Sequence, residues 1–234
     1  MLYGVLLAVL LLLGGGPAWA GQVVGTVVHL SGPLLDRKSD GTVKVLALRS
    51  EVESGDTLVS EKNTYAQVRF IDNSEITLRP ASTFRIEHFA YESGKPDADS
   101  AVFSLIKGGL RSITGLLGKR NKEKFSLKTP SATIGIRGTT FIAQWVEPDE
   151  AAAGLAPGLH LAVLDGAIVA SNNGGTLGFQ AGQFGYVPGV NTAPVAVPAN
   201  PGLQFAPPAS FGETGTPGAG GLAQEQGSVD CVVR

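Results

Sequence analysis

The fold is decided by the stretch Thr64-Tyr65-Ala66-Gln67-Val68-Arg69-Phe70-Ile71-Asp72-Asn73-Ser74-Glu75-Ile76-Thr77-Leu78. Successive side chains of a strand point to opposite faces, so Ala66, Val68 and Phe70 share an apolar face and Tyr65, Gln67 and Arg69 the other. Asp72-Asn73-Ser74 offers short side chains that bond their own backbone and tolerate left-handed angles, which predicts a turn. Ile76 and Leu78 then resume the apolar face, with Glu75, Thr77 and Arg79 outward, so the stretch reads as a β-hairpin. Pro80 has no N–H for a ladder and ends it, and Phe84, Ile86 and His88 begin the next inward set.

The same texture extends from Gln22 to Val187: short runs rich in Val, Ile, Thr, Phe and Leu, cut by Gly, Asp, Asn and Ser. Phe103, Leu105 and Ile106 precede an expected break at Gly108-Gly109, and Leu110 to Leu117 suits a short helix. Further strands are expected at Phe125–Leu127, Thr133–Ile136, Thr140–Val146, Leu159–Leu164, Ala167–Ser171 and Phe184–Val187. Asp165-Gly166 and Asn172-Asn173-Gly174-Gly175 are the turn signals between them, and residues 147–158 read as a surface loop. The expectation is an all-β, single domain of many short, mostly antiparallel strands over residues 21–187.

The two ends read differently. Val5 to Leu13 is an unbroken apolar run followed by Gly14-Gly15-Gly16-Pro17 and by Ala18-Trp19-Ala20, a small-x-small cleavage pattern. Residues 1–20 are therefore expected to be a signal peptide, although Met1 to Gly4 contains no Lys or Arg. The run is short of the roughly 20 apolar residues that cross a bilayer, so no transmembrane segment is expected in the mature chain, which is placed in the periplasm. Of residues 188–221, 14 of 34 are Gly or Pro with almost no charge. Such a composition buries too little to offset chain entropy, and residues 188–234 are expected to be a disordered, low-complexity tail. Cys231 is the only cysteine; an internal disulfide is excluded, leaving a solvated tail residue or an intermolecular bridge.

Charge is unevenly spread. Seventeen of the eighteen Lys and Arg lie at or before Arg137, giving residues 21–138 a net +4 and residues 139–234 a net −6. Either an anionic partner meets the first part or the two parts attract each other.

The chain lacks the residue spacings that catalytic constellations require. His29, His88 and His160 lie far apart with no His-x-x-x-His pair, so neither a metal site nor a cofactor is expected. No Gly-x-Ser-x-Gly elbow is present, and Gly115 to Arg120 spaces its glycines too closely for a phosphate loop. Glu51/Glu53 and Asp97/Asp99 sit among Ser, Gly and Pro and read as solvated loops. The chain is expected to have no catalytic residues and not to be an enzyme.

Two other features remain. Arg111, Lys119, Arg120, Lys122 and Lys124, flanked by Lys107 and Lys128 and opposed by Glu123 alone, form the densest charge of the chain. Clustered, they would suit an envelope protein or an anionic glycan or lipid head group; unclustered, they are a solvated loop. Nucleic acid is disfavoured by the expected export and the lack of interleaved aromatics. The second feature runs from Thr129-Pro130 through Gly135-Ile136-Arg137-Gly138-Thr139-Thr140-Phe141, where two glycines flank a lone arginine among β-branched residues. The pattern predicts a bulge or tight bend, with Arg137 either stapling its own domain or forking onto a partner's carboxylate.

The ordered set Ser54-Gly55-Asp56-Thr57-Leu58, Ala66 to Leu78, Gly108-Gly109-Leu110-Arg111, Thr129 to Phe141, Asp165 to Val169 and Ala181-Gly182-Gln183 resembles the periplasmic domain of the FecR family. The resemblance implies an all-β envelope domain, known from regulators that relay a receptor's state to a cytoplasmic sigma factor. Here a signal segment stands where those regulators carry a cytoplasmic segment and a membrane helix, so the sigma-factor role is not carried over. Two functions stay open: a non-enzymatic periplasmic binding module, or a sensor component of envelope or iron-uptake signalling that works with a separate membrane protein. Thr129, Pro130, Gly135, Arg137, Gly138, Thr139 and Phe141 carry the family motif and are expected to be structural. Intact-mass measurement of the exported chain should find Gly21 at its N-terminus; a retained apolar segment would contradict the signal reading.

Overall fold

Hydrogen-bond ladders tie fifteen strands into one mixed sheet, in a computed structural model that describes residues 21–149 and 154–211. The expected signal segment, Cys231 and the end of the tail lie outside the described residues. In chain order the strands are β1 (Val23–Leu30), β2 (Leu34–Arg37), β3 (Val43–Leu46), β4 (Glu51–Glu53), β5 (Thr57–Ser60), β6 (Ala66–Phe70), β7 (Glu75–Leu78), β8 (Thr83–Ala90), β9 (Ser100–Ile113), β10 (Phe125–Lys128), β11 (Thr133–Val146), β12 (Gly158–Asn172), β13 (Gly175–Gln180), β14 (Phe184–Val187) and β15 (Val195–Val197). The main path runs β15-β14-β12-β11-β10-β9-β7-β6-β1-β4, with β13 on β12 and a β3-β2-β5-β8 arm joined to β9. All pairings are antiparallel except β9 with β10, and a parallel pair needs a crossover. That crossover contains the helix α1 (Leu116–Arg120).

The decisive hairpin forms as its pattern predicts. Ala66 pairs with Leu78 and Val68 with Ile76, Asn73 takes the left-handed angle φ 63°, and Ser74 N donates to Asp72 Oδ1 at 2.9 Å. Its apolar face enters a core built on phenylalanines. Phe103 lies 5.2 Å from Phe70, 5.3 Å from Phe84, 6.0 Å from Phe89 and 5.8 Å from Phe125 between ring centres.

Several strands are longer than the glycine punctuation suggests. β9 runs straight through Gly108-Gly109, and the expected helix from Leu110 shrinks to Leu116–Arg120. The first half of β9 pairs with β8 and β10, the second with β7 and β11. Gly108 sits at the change of partner with φ +77°, where a Cβ would stand 2.4 Å from Ser82 Oγ. Likewise Thr133 to Val146 is one strand, and Asp165-Gly166 is no hairpin turn but part of continuous β12. Gly166 (φ +74°) packs so tightly on the Gly138 bulge of β11 that its Cβ would fall 2.1 Å from Gly138 O. A bulge between Ile86 and His88 also rotates β8. Phe89 therefore takes the inward place expected of His88, which is exposed.

The tail is the largest correction. Residues 188–211 do not behave as a disordered segment: β15 extends the sheet, and Leu203 and Phe211 are 6% and 3% exposed. Leu203 joins Ile142, Val146, Leu155 and Ala162 in a second apolar cluster on the face away from the phenylalanine core. From residue 198 to 211 low charge and high proline content are compatible with order because side chains, not backbone ladders, hold that part of the segment. This cover explains why Gln67 and Thr77, which the alternation points outward, are each 1% exposed.

No helix among the described residues is long and apolar enough to cross a membrane. Phe103→Ala should lower the unfolding free energy by about 3–5 kcal/mol in urea titrations. The exposed neighbour Ile106 provides the control, since Ile106→Ala should shift it by no more than about 0.5 kcal/mol.

Candidate partner-binding face

The helix that carries the basic run is held by the turn of the first hairpin. Asp72 accepts from Leu117 N through Oδ2 at 3.1 Å and from Leu116 N through its carbonyl at 2.8 Å. Its other oxygen, Oδ1, takes the Ser74 hydroxyl at 2.6 Å. Gly115 must be small there, because a Cβ would meet Ser74 N at 2.3 Å. Leu117 is buried in the core, while Lys119 is exposed.

The five cations of the run do not form one patch. Arg120 is consumed by its own domain: Nε and Nη2 fork onto Asp99 at 2.7 and 2.5 Å, the remaining N–H groups reach Ser93 O at 2.9 Å and Glu92 O at 2.7 Å, and the guanidinium lies 4.6 Å above the Tyr91 ring. Asn121 adds a 2.8 Å bond to the same carboxylate. Asp99 is thus a buried anchor and not the solvated loop residue its neighbours suggested. Its hydrogen bond from Arg120, opposed by burial and aided by Asn121 and the nearby positive charges, holds the carboxyl below its ordinary value of 3.8. Arg111 stands apart on β9, its guanidinium 5.1 Å from the Phe205 ring under the C-terminal segment.

Lys119, Lys122 and Lys124 remain exposed, and among the described residues none forms an ion pair or side-chain hydrogen bond. Of the three, Lys122 lines a shallow groove, together with Glu123, Phe125, Gly135, Ile136, Arg137 and Val169. A side chain at Gly135 would project into open space, so the glycine keeps the groove clear. Arg137 is exposed and meets no carboxylate among the described residues, so no staple forms among them.

The rest of the glycine-arginine motif makes its contacts within the domain. Thr129 closes the β10–β11 turn, donating from N to Ala132 O at 2.9 Å and accepting from Ala132 N on Oγ1 at 3.1 Å, with Pro130 inside the turn. Gly138 bulges at φ +62°. Thr139 stitches that bulge on both sides, its hydroxyl donating to Ala167 O at 2.6 Å and its N–H to Thr114 Oγ1 at 2.9 Å. Phe141 then enters the core. The motif serves to set Arg137 outward at the rim of the groove.

One ionic cluster was not anticipated. Lys38 Nζ lies 3.1 Å from Asp36, 3.1 Å from Glu53 and 2.8 Å from Asp56. Burial disfavours the charge on Lys38, but its hydrogen bonds to the three carboxylates outweigh it and push the pKa up. Burial raises Asp36, assisted by the Asp56 charge and opposed by Lys38. The ammonium occupies the space the carboxylates enclose, and no group of metal-ligating side chains occurs among the described residues. The signal in the sequence was Asp36-x-Lys38 at the end of β2, with Asp56 in Ser54-Gly55-Asp56.

Residues 56–169 match the family model described as FecR protein. Two crystal structures of a candidate anti-sigma factor from Parabacteroides distasonis are similar at 14% and 13% identity, each with TM-score 0.47. In both cases 62% of this chain and 60% of that chain are covered, so this chain spans about 60% of their length. No curated protein matches the sequence.

Because its folded pKa is depressed, Asp99 contributes stability that is complete above 3.8 and is lost as pH falls through the lower folded value. Urea midpoints of wild type and Asp99→Asn should therefore differ most near neutral pH and converge toward about pH 2. A gap that ignores pH would show that the carboxylate charge is not what stabilises the Tyr91–Asp99 loop.

Proposed function

We propose, from the match of residues 56–169 to the FecR family model, that the chain is a non-enzymatic interaction module of the bacterial envelope that engages a protein partner in a regulatory or signalling setting. The observation that carries this reading is a groove lined by Phe125 and Ile136 with Lys122 and Arg137, and by Glu123 as its one acid, next in sequence to the exposed Lys119 and Lys124; none of the four cations forms a close ion pair among the described residues. A polar rim around an apolar floor is the arrangement of a protein interface. Arg120, which a linear reading of the basic run would include, is occupied and stands behind the face as its support.

An acidic partner surface fits the sign of the charge, and exposed rim cations act chiefly on the speed and salt dependence of encounter. The family supports a signalling role, in which the partner would be a separate envelope protein. An anionic head group is the competing ligand for the same four charges. Residues 1–20 supply the expected export, and residues 21–187 the expected domain, to which the ordered segment 188–211 is now joined.

Capture of cross-linked partners from an envelope fraction, compared between wild type and Lys119→Gln/Lys122→Gln/Lys124→Gln, tests the reading. The triple variant should keep its melting temperature and lose about tenfold in association rate at low salt. Unchanged capture would remove the basic face from the mechanism. Binding to anionic vesicles without a captured protein would transfer the face to head groups.

A further inference from the structure

Beyond β15 the chain turns across the sheet, and its path is defined by one row of side chains. The strand registers place Phe184 opposite Ala162, Ala162 opposite Ile142, Ile142 opposite Arg111, Arg111 opposite Thr77, Thr77 opposite Gln67 and Gln67 opposite His29. This row crosses seven strands at right angles to them. The segment 198–211 lies along it, with Leu203 against Ile142 and Ala162, Phe205 over Arg111 at 5.1 Å and Phe211 stacked on His29 at 5.1 Å. Tyr65 stands between the last two, its ring edge-on to Phe205 at 5.9 Å and to Phe211 at 6.4 Å.

This strap is held in an unusual way. Its hydrogen bonds are internal: Asn200 Oδ1 accepts from Gly202 N at 3.0 Å and Leu203 N at 2.7 Å, and Phe211 N donates to Pro208 O at 2.9 Å. No hydrogen bond joins residues 198–211 to the sheet among the described residues. Pro198, Pro201, Pro207 and Pro208 have no N–H to offer. Three side chains therefore carry the attachment, and a segment so held exchanges with a competitor more readily than a paired strand does.

The floor beneath is not matched to its cover. Arg111 Nε is buried without a hydrogen-bond partner, and from Pro188 to Phe211 the chain contains no Asp or Glu. A ring face gives that Nε–H no acceptor, whereas a carboxylate satisfies Nε and a second donor at once. Thr77 supplies a further polar group along the row, while the Gln67 amide is already bonded to His29 and Glu75.

We propose that the transverse groove is a binding site for an extended segment of a partner protein, and that the strap is its displaceable occupant in cis. The segment that fits has an apolar residue over Ile142, an acidic side chain over Arg111 and an aromatic residue over His29, the spacing of Leu203, Phe205 and Phe211. The site is distinct from the lysine face and does not depend on it.

The test uses the full chain with Leu203→Ala/Phe211→Ala, which loosens the strap and leaves the groove floor intact. The probes are two fluorescein-labelled peptides reproducing residues 199–211, one with Phe and one with Glu at the position of Phe205. Wild type should bind both weakly, and the loosened chain at least tenfold more tightly by anisotropy, with the Glu peptide equal to or tighter than the Phe peptide. Adding Arg111→Met should cost the Glu peptide at least tenfold while sparing the other. Absence of binding to a loosened chain with a native circular dichroism spectrum would overturn the proposal, as would a Glu peptide more than tenfold weaker than the Phe peptide. Should the loosened chain fail to fold, Phe205→Glu in the otherwise unchanged chain decides: a urea midpoint retained or raised supports a carboxylate site over Arg111, and a lowered one overturns it.

Discussion

The structure turns on the passage of β9 through Gly108. A strand that serves two different neighbours on each half must reorient its ladder without ending, and a positive φ in mid-strand achieves this where Ser82 leaves no room for a side chain. Ser82 then bonds both the N–H and the carbonyl of Gly109, at 2.9 and 3.0 Å, so the bend is fixed from the adjoining loop. Upstream of it Phe103 enters the middle of the phenylalanine core; downstream Arg111 looks out through the opposite face. The two surfaces of the domain acquire their different characters at that residue.

Local alternation was legible because it is a property of a few neighbouring residues. Ala66 to Leu78 needs only its own turn, and Asp72-Asn73-Ser74 supplies it. The glycines misled where they acted at a distance. Gly108, Gly138 and Gly166 look like strand ends in a linear text, yet each permits a long strand to continue past a neighbour that is remote in sequence. His88 was misplaced for the same reason, since one bulged residue reverses inside and outside for everything after it.

The basic run shows the corresponding limit for a site. Five cations within fourteen positions suggested one patch, and the fold divides them among a staple, a covered arginine and three free lysines. Only the location of Asp99 and Phe205, both distant in the chain, decides which is which. Arg137 was legible in its strained setting but not in its surroundings: the bulge that Thr139 secures directs it outward to share a groove with Lys122. The Lys38 cluster was hidden because its carboxylates come from two strands and a loop that meet only after folding.

The strap has a mechanical consequence. Its end stacks on His29, near the end of β1 opposite to Val23, where the chain enters that strand. A pull on the chain beyond Phe211 would load its ring contacts with His29 and Tyr65 and then peel Phe205 and Leu203 in turn, a zipper geometry that yields at low force. The sheet behind, with its ladders crossing the line of pull, would be untouched. Tension would thus reach the groove before it threatened the fold.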